Sequence, residues 1–215
     1  MKSLLLAACL LLPLGATATP VTAAAPATAD RAVEGRDYVL IDNGTPYRPL
    51  AGKIEVVEVF AYWCPHCADF DPVLTAWVRK LPADVRFNYI PAAIDPNDAF
   101  ARGFFAAEGA GAVERTHAAV YRAVHHDGLL PHNATMAEIA WFYGQQGLDP
   151  VKMKAAMASP QVDALMQRAR QFEVDIQLPG TPTMVVNGRY RITPRSHEDA
   201  LRIADQLIAQ LRAAH

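Results

Sequence analysis

The chain has 215 residues, 52% of them hydrophobic and 20% charged, with a formal net charge of −2 at neutral pH. That is enough sequence for one or two domains with a real core. Its arginines and lysines are scattered, which argues against a nucleic-acid or anionic-lipid surface.

The N-terminus reads as an export signal. Lys2 supplies a positive start, Leu4 to Leu14 an apolar stretch, and Ala16-Thr17-Ala18 the small-x-small pattern of a signal-peptidase site. The apolar stretch is shorter than the about 20 residues a membrane span requires. Residues 1–18 are therefore expected to be a cleaved signal, with Ala25 and Ala29 as alternative cleavage positions. Leu6-Ala7-Ala8-Cys9 has the look of a lipidation box but lies too early to follow a normal signal core. Residues 19–35, rich in Ala, Thr, Pro and Val at their start, read as a flexible mature N-terminus. With Cys9 removed, the exported chain keeps two cysteines, Cys64 and Cys67. Export places them where disulfides persist. A bridge across two residues closes too small a loop to staple a domain, so chemistry is the better reason for the pair.

Tyr38-Val39-Leu40-Ile41 is a short strand, broken by Asn43-Gly44 and Pro46. The run Ile54 to Phe60 is almost wholly apolar and suits a strand buried on both faces. A helical pattern follows Cys64 to about Lys80, and Val85 to Ile90 is a further strand. From Asn97 to about Asp175 the signals are helical: Val113, His117, Val120 and Val124 at helical spacing, a capping box at Thr135 to Glu138, and Asp149-Pro150 and Ser159-Pro160 as helix starts. Val162, Leu165, Met166 and Ala169 form a stripe on the last helix of this stretch. Thr183 to Val186, Asn187-Gly188 and Arg189 to Ile192 predict a hairpin with a type I′ turn. Ser196 caps a final helix carrying Leu201, Ala204, Leu207, Ile208 and Leu211. The fold class is α/β, interrupted by an all-helical insertion: residues 36–96 and 177–215 form the α/β part and 97–176 the insertion.

In Cys64-Pro65-His66-Cys67 the spacing makes Cys64 the helix N-cap, Pro65 the first helical residue and Cys67 the third. Pro65 fits a position whose N–H needs no partner. The Cys64 sulfur then faces unpaired backbone N–H groups and the positive end of the helix dipole, which favour a thiolate. His66 adds a donor or a positive charge. Cys67 lies one turn along, within disulfide reach. Stabilising the thiolate stabilises the reduced form, makes the disulfide a stronger oxidant and makes Cys64 a good leaving group. A structural zinc site is disfavoured, because it usually takes four Cys or His ligands and no second pair is present.

The approach Phe60-Ala61-Tyr62-Trp63 and the pair itself resemble the DsbA family of thiol:disulfide oxidoreductases, and the resemblance extends over most of the mature chain. It implies a thioredoxin-like fold with an inserted helical domain. Gly180-Thr181-Pro182-Thr183 resembles the family's cis-proline loop, which implies a cis Thr181–Pro182 bond facing the cysteines and a Thr181 backbone able to pair with an extended substrate segment. Family members often carry Val before this proline; here the Thr181 hydroxyl is placed to hydrogen-bond near Cys64. The resemblance also implies that Glu58, six residues before Cys64, is a buried acid beneath Cys67 that shuttles its proton. No basic partner for Glu58 is identifiable. Pro72 matches a helix proline of thioredoxins and reads as a structural bend.

The function implied is oxidation of exported proteins in the periplasm through the Cys64–Cys67 disulfide, with no other cofactor. A quinone-linked membrane partner of the DsbB type would reoxidise the pair, and a monomer is expected. A reductase or isomerase on the same fold is the first alternative; such proteins often carry a dimerisation domain, for which the short N-terminal segment leaves no room. A non-enzymatic metal or polypeptide binder is the second. His125, His126 and His132, around Asp127-Gly128, read as a solvated loop rather than a metal site. Asn43-Gly44-Thr45 and Asn133-Ala134-Thr135 read as chance matches to a glycosylation pattern. Tyr62 and Trp63 read as core or rim aromatics, with Trp63 a candidate reporter of redox state.

Overall fold

A computed structural model describes residues 31–214. The expected signal peptide, Cys9 and most of the segment 19–35 lie outside the described residues. In chain order the elements are β1 (Tyr38–Leu40), β2 (Ile54–Phe60), α1 (Pro65–Val78), β3 (Val85–Pro91), α2 (Ala99–Gly109), α3 (Val113–His125), α4 (Met136–Gln145), α5 (Pro150–Met157), α6 (Pro160–Asp175), β4 (Thr183–Val186), β5 (Tyr190–Ile192) and α7 (His197–Ala213).

The five strands form one sheet in the order β1-β5-β4-β2-β3. β2 lies between β3 and β4, parallel to β3 and antiparallel to β4. Every residue of β2 is buried, as its near-continuous apolar sequence predicts for a strand covered on both faces. Successive side chains alternate between those faces. Val57 and Val59 join a core built with α2 to α6, while Ile54 and Val56 pack with Phe70 and Leu74 of α1 and with Ile203, Ala204 and Leu207 of α7. Glu58 shares the parity of Ile54 and Val56, so its carboxyl is directed to the α1 side, beneath the cysteine pair.

Four of the five helices between β3 and β4 start where their caps dictate; α3 follows Ala112, which has no capping side chain. Asp98, Asp149 and Ser159 each accept backbone N–H bonds at a helix start, and Pro150 and Pro160 stand at first positions. Thr135 and Glu138 complete the reciprocal capping box. Ser196 caps α7 by accepting from the Asp199 N–H. Phe60 anchors the insertion to the sheet, meeting Phe104 edge-on at 5.2 Å and Tyr62 at 5.0 Å.

The terminal hairpin departs from expectation by one residue. Asn187 and Gly188 both take positive φ, and the Val186 carbonyl accepts from the Arg189 N–H. Pairing nevertheless resumes at Val186–Tyr190, so β5 begins at Tyr190 and not Arg189. The reason lies in the neighbouring loop: the Arg189 carbonyl is taken by the Ile41 N–H, and Gly188 presses so close to Thr45 that a Cβ there would fall 1.9 Å from its carbonyl oxygen. Only glycine fits that contact.

Candidate active site

Cys64 is the N-cap of α1, with extended φ and ψ of −86° and 117°, and Pro65 follows as the first helical residue. The pair is in the dithiol form. Cys64 is 6% exposed and Cys67 is fully buried behind it. This asymmetry lets only Cys64 meet an incoming thiol. Pro65 and His66 lie exposed on the rim, and Pro72 lies inside α1.

The Cys64 thiol is pulled down to about 5. The largest cause is donation from the Cys67 S–H, followed among the favourable contributions by the Thr181 side chain and the backbone N–H groups of Cys67 and His66. The helix N-terminus thus acts as the spacing predicted, but through bonds to two N–H groups that come second to the neighbouring thiol. His66 contributes its amide; its side chain makes no bond to the sulfur. Cys67 moves the opposite way: donating to Cys64, burial and the nearby Glu58 all push its pKa up. One thiol is therefore poised as an anion and the other as an acid that keeps its proton.

The Thr181–Pro182 bond is cis. The loop faces the pair: the Cys64 S–H, when present, donates to the Thr181 carbonyl at 3.3 Å. Thr181 offers its carbonyl to the thiol and its hydroxyl to the thiolate, so it serves both protonation states. The Thr183 hydroxyl closes the loop by donating to the Gly180 carbonyl at 2.7 Å. Thr181→Val keeps the shape and removes the hydroxyl. We expect the Cys64 titration to move up and the protein to become a weaker oxidant, read as a shift of its glutathione equilibrium toward the disulfide form.

Glu58 is 1% exposed, midway along β2, opposite Tyr89 and Met184. Its Oε1 makes no hydrogen bond. Burial, then the charges of Asp71 and Cys64, raise its pKa well above the carboxylate range. A solvent-reaching strand end is excluded by this position. Burial likewise raises Asp71 on α1, although the Thr75 hydroxyl donates to it. No sequence motif marks Asp71, because the groups that face it besides Thr75, among them His117 of α3, come from other elements.

The histidines around Asp127 require a correction. They are not a solvated loop throughout. His125, at the end of α3, donates from Nε2 to the Tyr62 carbonyl at 2.8 Å, and His132 donates from Nδ1 to the Trp63 carbonyl at 3.2 Å. A carbonyl can only accept, so each of these nitrogens carries its proton. They tie the segment just before Cys64 to the helical insertion. The Trp63 indole N–H donates to Asp98 at 2.9 Å, leaving Trp63 at the rim, while Tyr62 lies in the core. A recess of about 350 Å³ lined by Trp63, Asp98, Phe100 and His132, among others, adjoins the site. Among the described residues no three His, Cys, Asp or Glu side chains converge to hold a metal.

The DSBA-like thioredoxin domain model matches residues 55–204. The chain belongs to this family. It is 39% identical over 184 residues to the thiol:disulfide interchange protein DsbA of Azotobacter vinelandii, covering 84% of this chain and 85% of that one. It is 38% identical over 194 residues to the protein of the same name from Pseudomonas aeruginosa, covering 87% of this chain and 90% of that one. The crystal structure of oxidoreductase DsbA from Xylella fastidiosa superposes with a TM-score of 0.82 at 45% identity, over 85% of this chain and 98% of that chain. The thioredoxin-like fold interrupted by helices, and the thiol:disulfide oxidoreductase activity, are what the residues around Cys64 led us to expect. Reduced proteins are its substrates.

Proposed function

We propose that this protein is a disulfide donor to exported proteins, working in the periplasm after removal of its signal peptide. The observation that carries this reading is the opposed poise of the two thiols, with Cys64 favoured as a thiolate at the helix mouth and Cys67 favoured as a thiol behind it. A stable reduced form makes the disulfide easy to give away. Residues 36–96 and 177–215 serve as the thioredoxin-like parts and 97–176 as the helical insertion.

In the oxidised protein, a substrate thiolate attacks the Cys64 sulfur. The Cys64–Cys67 bond breaks, and its electron pair goes to Cys67. Glu58, protonated in its buried site, gives Cys67 a proton. A second substrate thiolate attacks the substrate sulfur of the mixed disulfide, and Cys64 leaves as a stable thiolate. The Thr181 backbone, beside cis-Pro182, aligns the substrate as an added strand. Pro65 and His66 set the helix start that holds Cys64. No cofactor beyond the disulfide is needed. A quinone-linked membrane partner of the DsbB type then takes the electrons, and the protein works as a monomer. No helix among the described residues is long and apolar enough to cross a membrane.

Mixing the oxidised protein with a reduced test protein and with glutathione tests the direction of flow. Formation of disulfides in the test protein, with an equilibrium far toward the reduced enzyme, is the expected outcome. An equilibrium favouring the enzyme disulfide would make it a reductase. Cys67→Ala should accumulate mixed disulfides when its Cys64 thiolate attacks the disulfide of an oxidised test protein, visible as adducts on a non-reducing gel, because no second enzyme thiol resolves them.

A further inference from the structure

The loop that carries Thr181 is held at its entrance by a residue from another element. Helix α6 ends in a Schellman arrangement: the Gln177 N–H donates to the Val174 carbonyl at 3.0 Å, and the Leu178 N–H to the Glu173 carbonyl at 2.9 Å. Gln177 stands where that arrangement favours glycine, at a φ of 52°. The next two carbonyls, of Ile176 and Gln177, receive no backbone N–H. Arg191 of β5 takes both. Its Nη1 donates to the Ile176 carbonyl at 2.7 Å and also to the Gln177 carbonyl. Nη1 carries two N–H groups, one for each acceptor. A cation at a helix C-terminus is also favourable in itself.

Serving a helix end alone is a costly use of this side chain. It is half-buried, its Nε is buried without a partner, and among the described residues no carboxylate pairs with it. Its place in the sheet gives it a second purpose. Arg191 pairs with Val185 of β4, and β4 begins at Thr183, directly after Pro182. Arg191 thus belongs to the hairpin that the loop runs into, and it bonds the helix end that the loop runs out of. The bracket closes around residues 178–182. Inside it Leu178 packs against the core, Pro179 has a fixed φ, and the Thr183 hydroxyl holds the Gly180 carbonyl. Little slack remains, so a displacement of the 176–177 carbonyls reaches Thr181. Thr181 meets Cys64 by its carbonyl, 3.3 Å from the sulfur, and by the hydroxyl that favours the thiolate.

We propose that Arg191 is a positioning residue for disulfide exchange: by binding the Ile176 and Gln177 carbonyls it fixes the entrance of the cis-proline loop, and with it the contact of Thr181 on Cys64. Arg191 touches no reacting atom. The proposal rests on the reading of Cys64 as a thiolate that Thr181 helps to hold.

The test is a double-mutant cycle on the full mature protein, read by the ultraviolet titration of the Cys64 thiolate and by the glutathione equilibrium. Arg191→Met keeps the apolar length of the side chain and removes its donors. Alone, it should raise the Cys64 titration by about half a unit, which moves the glutathione equilibrium about threefold toward the disulfide form at neutral pH. The sign follows because a hydroxyl bond to a thiolate outweighs the weak S–H bond to a carbonyl. Combined with Thr181→Val it should no longer raise the titration, because the hydroxyl it acts through is absent. An equal rise in both backgrounds, or none in either, overturns the proposal. A role confined to the helix end would lower stability to denaturant and leave the titration in place, which also overturns it. Arg191→Lys ends its ammonium one bond short of Nη1 and should recover part of the wild-type titration. If the methionine variant fails to fold, the lysine variant carries the same cycle, and a wild-type titration in it overturns the proposal. Two results separate the layers. If the wild-type protein titrates at pH 8 to 9, as a free cysteine does, the thiolate reading falls and the proposal with it. If wild type and folded Arg191→Met both titrate near 5, only the role of Arg191 falls.

Discussion

Cys64→Ser is expected to abolish oxidation of a reduced test protein, leaving only the uncatalysed background, while the fold survives. The substitution replaces one N-cap residue by another that is favoured there, so α1 should start as before. What disappears is the sulfur that receives the substrate thiolate. Cys67 cannot stand in, since it is fully buried and its thiol is held in the protonated form. Retained turnover, measured as disulfides formed per enzyme with the circular dichroism spectrum unchanged, would refute the assignment of Cys64.

The second large effect is on pH. Reducing an ordinary cysteine pair near neutrality takes up two electrons and two protons. Here Cys64 remains a thiolate above about 5, whereas an ordinary cysteine titrates at 9.0. Between those values reduction of this protein takes up one proton fewer than oxidation of two glutathione molecules gives back. The equilibrium with glutathione should therefore move toward reduced enzyme, approaching tenfold per pH unit above pH 5, hence by about fiftyfold from pH 5 to pH 7. Below pH 5 it should level off. The stability of the reduced protein follows the same sign. A depressed folded-state pKa stabilises the fold, fully above the unfolded value near 9, and that contribution is lost as pH falls through about 5. The oxidised protein, lacking the thiolate, should show no such dependence from Cys64. Denaturant unfolding of both forms at pH 4 and pH 7 measures this difference.

Much of the site is legible locally. The spacing of Cys64, Pro65 and Cys67 fixes a helix N-terminus because the chemistry of the first turn is a property of consecutive residues. The same holds for the Thr135–Glu138 box and for the near-continuous apolar run of β2; of its two carboxylates, Glu55 and Glu58, the position six residues before Cys64 singles out Glu58. What escapes is convergence. His117 falls at helical spacing with Val113, Val120 and Val124, and spacing says only that it faces a core. That the facing partners are Asp71 and Tyr62 follows from α3 packing on α1, which no local pattern encodes. His125 and His132 look like loop histidines because they flank Asp127-Gly128. Their acceptors are backbone carbonyls more than sixty positions earlier in the chain, and carbonyls carry no sequence signature. The ranking of influences on Cys64 was hidden for a related reason. A helix start predicts N–H donors, but the stronger donor is the buried Cys67 thiol, whose burial comes from the sheet and insertion packed around it.

The central claim is that Cys64 exists as a thiolate at neutral pH. Ultraviolet absorbance of the thiolate, recorded on the reduced protein from pH 3 to pH 10 with Cys64→Ser as the blank, measures this directly. A single step near pH 5, absent from the blank, is the result predicted. A step at pH 8 to 9, where a free cysteine titrates, would contradict it.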